Sequence, residues 1–242
     1  MDLKYIYKVT PNYKITSLIR DRFFTTPTTP SVGNLEAGDI LVKMADGTLV
    51  NNAINIGQSI LAGDHSLWTH AGLATSSTMI AEMNGKGLQQ HSLSGENSTY
   101  TYAVFRCNYR QVAMAADEVN SKLTFLGNKI VYNGKGAVSS LFPSIVESKN
   151  KNRLNAVIEK TLSGGEFGLF CSEHVVFCYL AALEEENAIQ LIENDFKFAK
   201  LKMQDFFNKE PAYYSPGYLY GMLMSNKLFK YLGKWSGMKW IG

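Results

Sequence analysis

A chain of 242 residues, 45% hydrophobic and 19% charged, is long enough for one large domain with a substantial core. Its net charge of +3 makes no demand for a nucleic-acid partner and leaves only a modest attraction to anionic surfaces. Three cysteines (Cys107, Cys171, Cys178) with no Cys-x-x-Cys pair argue against a disulfide framework or a zinc ribbon.

The N-terminal residues Met1 to Lys8 show no apolar core and no small-residue cleavage site, so the expectation is synthesis in the cytosol without a Sec signal. Export would then require a dedicated secretion route. No run of about 18 apolar residues provides a spanning helix. Residues 1–34 read as an extension, with a strand at Tyr5–Val9, a short helix at Ile15–Phe24 and a Thr/Pro linker from Thr25 to Gly33. Residues 35–242 form the main domain, which ends in an aromatic tail.

Leu35 to Met44 opens that domain with a Gly38-Asp39 turn feeding an Ile-Leu-Val core strand. Asn52–Leu61 reads as a helix. Leu67–Thr75 and Thr78–Met83 are strands joined near Ser76-Ser77, and Asn84-Gly85 marks a hairpin into Gly87–Leu93. With Tyr100–Cys107 these make an antiparallel meander of four to five strands. From Tyr109 the period changes: Val112, Ala116, Val119 and Leu123 predict a helix to about Phe125. Ile130-Val131-Tyr132 stands between glycines, and Lys149–Leu162 is a polar helix.

A glycine-rich approach then leads to Phe170-Cys171-Ser172-Glu173-His174-Val175-Val176, the start of an apolar helix that closes on Glu184-Glu185-Glu186-Asn187. Residues 188–210 read as one or two helical pieces, Pro211–Gly217 as a turn, and Tyr218–Trp240 as a tail packed over the core. Strands followed by helices predict an α+β fold, with helices against one antiparallel sheet.

Cys171 falls in the first turn of its helix, where unpaired N–H groups and the positive end of the macrodipole favour a thiolate. Cys178 lies roughly 10 Å further along, too far to bridge, and both Cys178 and Cys107 read as core. A cysteine nucleophile needs a base, and the base an orienting group. His174 shares the rigid helix of Cys171 and reads as a surface or supporting side chain, not as the base. His70 precedes the small residues Ala71 and Gly72, and Glu82 follows on the next strand, placed laterally or nearly so on the same face. Taken singly, a histidine, a hairpin glutamate and a helical cysteine are more often structural than functional.

These patterns resemble the circularly permuted NlpC/P60 hydrolases, the papain-like group that includes YiiX/YaeF-type and lecithin–retinol-acyltransferase-like proteins. Gly38-Asp39-Ile40-Leu41-Val42 looks like the group's opening strand, Thr69-His70-Ala71-Gly72-Leu73 like its histidine strand, and Ile80-Ala81-Glu82 like the site of its third polar residue. Phe170-Cys171-Ser172-Glu173 looks like its nucleophile helix, and Ser215-Pro216-Gly217 is similar to a segment near the end of such chains. The match covers about residues 35–225. His174 departs from a more usual Leu, and the insertion between Cys107 and Cys171 is long.

The resemblance implies a papain-like fold and a cysteine hydrolase with Cys171 as nucleophile, His70 as base and Glu82 as orienting group. It implies no cofactor or metal, and cell-wall peptide amides as substrate. A secreted antibacterial effector with a carrier or immunity partner follows from pairing that substrate with the absent signal. A second reading turns the same thiol on lipid acyl groups, with Met222, Leu223, Met224, Phe229, Tyr231, Trp235 and Trp240 as a membrane-facing surface. A third is a binding module with a vestigial triad.

Overall fold

The computed structural model describes residues 34–45, 67–126, 130–134, 166–193 and 203–241. The expected elements at 5–9, 15–24, 52–61 and 149–162, and the 25–33 linker, lie outside the described residues.

The architecture is α+β. A seven-stranded antiparallel sheet is built from β1 (Ile40–Met44), β2 (Trp68–Ala74), β3 (Met79–Asn84), β4 (Gly87–Ser92), β5 (Tyr102–Cys107), β8 (Phe229–Ser236) and β9 (Lys239–Ile241). The spatial order is β4-β3-β2-β1-β5-β8-β9. β1, β2, β3 and β4 follow one another as an antiparallel meander, and β5 does not continue it. β1 lies at the centre, between β2 and β5, because Ile40, Leu41 and Val42 are apolar on both faces and must be covered on both.

The expected meander of four to five strands is thereby corrected in two ways. β5 pairs with β1 instead of β4, and the aromatic tail contributes β8 and β9 to the sheet. A separate parallel pair joins β6 (Ile130–Tyr132) to β7 (Phe167–Leu169). The β3–β4 hairpin sits at Asn84–Gly87, but its left-handed residue is Gly87 (φ 98°), and Asn84 Oδ1 accepts the Lys86 N–H at 2.8 Å.

Helices α1 (Arg110–Leu126) and α2 (Cys171–Glu193) pack against each other over one face of the sheet. Val112, Ala116, Val175, Val176, Cys178 and Ala182 meet Ile40, Val42, Ala71 and Phe105 in the main core. α2 does not close at Glu184–Asn187. No glycine or proline interrupts it there, and Glu, Ala and Gln sustain the helix to Glu193. A short helix α3 (Met203–Phe206) and a 3-10 turn (Pro211–Tyr213) follow.

Pro216 opens a further helix, α4 (Pro216–Ser225), which replaces the second half of the expected turn. Ser215 caps it by accepting the Tyr218 N–H, and Pro216 holds the first helical position, where no N–H is missed. The opposite face of the sheet carries a smaller core of Leu41, Ile80, Tyr102, Val104 and Trp235.

The Gly38-Asp39 turn fixes the start of β1. Gly38 adopts φ 86°, and a Cβ there would stand 2.2 Å from the carbonyl oxygen of Ala113. Its own carbonyl accepts the Tyr179 hydroxyl at 2.7 Å. Asp39 receives two N–H groups of Arg106, at 2.8 and 2.7 Å, and Arg106 also reaches Glu36 at 2.6 Å. This buried pairing ties the turn to β5. The charged pair is neutralised locally, as burial requires.

Candidate active site

The β2–β3 ladder runs from Ala74–Ile80 through Leu73–Ala81 to Gly72–Glu82 and stops there. His70 lies beyond its end, and Glu82 on its last rung. Both side chains project on the face that carries Tyr102, because His70 pairs with Lys43 and Lys43 with Tyr102. Glu82 is thus a diagonal neighbour of His70, not a lateral one. Its Oε2 stands 3.1 Å from His70 Nε2.

The other carboxylate oxygen of Glu82 accepts the Asn97 side-chain N–H at 2.9 Å, and Asn97 also donates to the Tyr102 hydroxyl at 2.9 Å. The carboxylate is held from both sides. Burial opposes its charge, but the imidazolium of His70 and the Asn97 bond outweigh burial and bring Glu82 down to about 2.

α2 delivers Cys171 to the open end of this ladder. Phe170 caps the helix, and Glu173, three residues on, reaches back to the Phe170 N–H at 3.3 Å, which is the reciprocal half of a capping box. Ser172 donates to the carbonyl of Tyr214, pinning the first turn to the segment before α4. The Cys-Ser-Glu run therefore has a local logic: the residue after the thiol anchors the turn, and the next closes its cap.

The thiol and the imidazole are hydrogen-bonded to each other, and the sulfur also accepts the backbone N–H groups of Ala71 and Ser172. Glu82 occupies Nε2, which leaves Nδ1 as the nitrogen facing the sulfur. Burial works against charge on both groups. The mutual attraction of thiolate and imidazolium exceeds it, lowering Cys171 and, with Glu82, raising His70 to about 10.

Cys171, His70 and Glu82, the three residues singled out from the sequence, thus lie together in one hydrogen-bonded chain. Cys107 and Cys178 lie elsewhere, in the main core. Burial pushes the Cys107 thiol up to about 12 and Cys178 well above its ordinary value.

His174 points away from this chain. It is fully buried, its Nε2 is 3.1 Å from Asn120 Oδ1 on α1, and burial followed by the charge of His70 lowers it to about 3. A neutral imidazole there donates to Asn120 and joins α2 to α1.

Two parts of the site were not legible in the sequence. Asn97 sits in a polar turn where nothing distinguishes it from a loop residue. Tyr132 of β6, with Ala212 and Tyr213, packs over Cys171 and Phe170. Burial, and then the Cys171 charge, raise the Tyr132 phenol, so it stays protonated beside the sulfur. This cover leaves Cys171 only 3% exposed, whereas the His70 side chain is 18% exposed. Among the described residues, no group of three or more His, Cys, Asp or Glu side chains is placed to hold a metal ion.

Comparison with protein-family models, curated proteins and solved structures returns no match for this chain.

Proposed function

We propose that the protein is a cysteine hydrolase of amide bonds, with a papain-like, circularly permuted NlpC/P60 arrangement in which Cys171 is the nucleophile, His70 the proton carrier and Glu82 the group that orients it. The observation that carries this reading is the chain Glu82 Oε2–His70 Nε2 at 3.1 Å, with the lowered Cys171 thiol bonded to the same imidazole.

In this mechanism the thiolate of Cys171 adds to the substrate carbonyl carbon, and the carbonyl oxygen takes up the negative charge. The backbone N–H of Cys171, at the first position of α2, has no partner within its helix and is a donor for that oxyanion. Collapse breaks the C–N bond. The leaving amine takes the proton of the His70 imidazolium, and an acyl thioester remains on Cys171. Water then gives a proton to His70 as it adds to the thioester, and the second collapse releases the carboxylic acid and restores the thiolate–imidazolium pair.

The substrate class, cell-wall peptide amides, rests on the sequence resemblance, as does delivery into a competitor's periplasm with a carrier or immunity partner. The experiment is incubation with purified peptidoglycan, followed by mass spectrometry of released fragments, with Cys171→Ala as control. New amine and carboxyl ends that depend on Cys171 support the reading. An unchanged digest overturns the wall substrate, and Cys171-dependent fatty-acid release from liposomes in a parallel incubation moves the same chemistry to lipid acyl groups.

A further inference from the structure

Six large hydrophobic side chains among the described residues are exposed, and three of them, Leu67, Met224 and Tyr231, adjoin the packed rings of Trp68, Tyr220 and Phe105. Leu67 precedes Trp68, whose ring stacks on Tyr220 of α4 at 4.2 Å. Met224 stands one helical turn beyond Tyr220. Tyr220 and Tyr231 both pack on Phe105, at 5.6 and 5.4 Å. A scatter of single exposed residues needs no explanation, but several around one packed aromatic cluster do.

The sheet register extends this surface. Tyr231 and Lys234 pair with Phe105 and Ala103, which face the helices, so they lie on the helix side of the sheet. Ser236, Lys239 and Ile241 share that side through the β8–β9 pairing. Trp235 and Trp240 turn to the other side, where they pack edge to face at 4.9 Å. Of the tail residues expected to meet a membrane, Leu223, Phe229 and Trp235 are therefore core, and Met224 and Tyr231 are surface.

Charge selects the occupant. The last 32 residues contain Lys227, Lys230, Lys234 and Lys239 and no Asp or Glu, and of these Lys234 and Lys239 lie on the helix side with Tyr231, whereas Lys230, paired with Arg106, faces the other side. Tyrosines with lysines around exposed Leu and Met are the composition of a bilayer interface, where rings sit among headgroups and ammonium groups meet anionic lipid. Exposed aliphatic side chains gain nothing against a sugar–phosphate backbone, but they gain by leaving water in the headgroup region. Among the described residues no helix is long and apolar enough to cross a membrane, so the mode is peripheral.

We propose that the face formed by α4, β8 and β9, with Leu67, docks on an anionic bilayer surface. Trp68, which stacks on Tyr220 of this face, lies on β2, the strand that also carries His70.

The test is co-sedimentation of the full-length Cys171→Ala protein with vesicles of phosphatidylcholine, alone or mixed with phosphatidylglycerol. Partitioning onto the anionic vesicles is at least about tenfold stronger and falls as salt is raised. The pair Lys234→Glu and Lys239→Glu lowers it by about tenfold or more, since each lysine near the surface contributes roughly a fivefold factor. The pair Met224→Ser and Tyr231→Ser also weakens it, with the salt dependence retained.

Near-UV circular dichroism and, in the wild-type cysteine background, iodoacetamide labelling of Cys171 report on folding of both pairs. Absence of vesicle binding, equal binding to neutral and anionic vesicles, or unchanged binding of both folded pairs overturns the proposal. So does preferential binding to sacculi or DNA. Because the assay protein lacks the thiol, these outcomes leave the cysteine-hydrolase reading to its own test.

Discussion

Glu82 approaches His70 along a diagonal of the β2–β3 hairpin: its Cα partner is Gly72, yet its Oε2 stands 3.1 Å from the His70 Nε2. The offset frees the end of the ladder for the thiol, which takes the Ala71 N–H where β3 no longer pairs. A carboxylate straight across the hairpin from His70 would sit two rungs further out, at the level of Asn84. The geometry of the hairpin's end therefore bears on every test of the site.

Thiol reactivity follows from the charge pairing. Cys171 is lowered by its imidazolium partner, while burial pushes Cys107 up to about 12 and Cys178 well above its ordinary value. Iodoacetamide at about pH 6 labels Cys171 selectively, because an ordinary thiol near 8.5 is almost wholly protonated there. The rate is read by peptide mass spectrometry. Equal labelling of the three thiols contradicts the ion pair, and His70→Ala abolishes the selectivity.

Turnover separates the roles along the hydrogen-bonded chain. Cys171→Ala and His70→Ala each remove activity, by about a thousandfold or more, with little change in Tm. Glu82→Gln is milder, because its amide still meets the imidazole. Asn97→Ala acts through Glu82: kcat falls, KM is unchanged, and the acid limb of the pH profile moves upward as Glu82 loses a bond that lowers it. A change confined to KM would assign Asn97 to substrate binding.

Acid stability tracks Glu82. Its folded value of about 2 lies below its ordinary 4.5, so its contribution is whole above pH 4.5 and is lost as pH falls toward 2. The shift corresponds to about 3 kcal/mol at most. Denaturant unfolding of wild type between pH 5 and roughly 2 therefore loses more stability than unfolding of Glu82→Gln over the same range. Parallel curves would contradict the assignment.

The helix start is testable apart from catalysis. Glu173→Ala removes the side chain that closes the cap on Phe170, at about 1 kcal/mol. Ser172→Ala orphans the Tyr214 carbonyl in the interior, at about 1–3 kcal/mol. Both lower Tm, measured by calorimetry, and Ser172→Ala lowers it more.

Legibility in the sequence tracked how local the cause was. The apolar runs of β1–β5, the period of α1 and the residues Cys171, His70 and Glu82 carry their signals within a few positions. Ser215-Pro216 carried a helix-start signal as well, hidden by its resemblance to a turn. β8 was opaque because Gly233 and the bulge at Leu232 break its alternation, and its partner β5 lies more than 120 residues away. Asn97 and the Ala71 N–H could not be read at all. The first is a common turn residue put to use by tertiary contact, and the second is a backbone group with no side-chain signature.

The central place of β1 also orders events during synthesis. β1 to β5 supply the imidazole, its carboxylate and Asn97 within the first 107 residues. The thiol emerges much later, and its helix is pinned only when Tyr214 arrives to receive Ser172. A ribosome-bound chain thus carries the imidazole and its carboxylate without the thiol while residues 108 to 170 are made. The last strands to leave the ribosome, β8 and β9, then close the sheet beside β5.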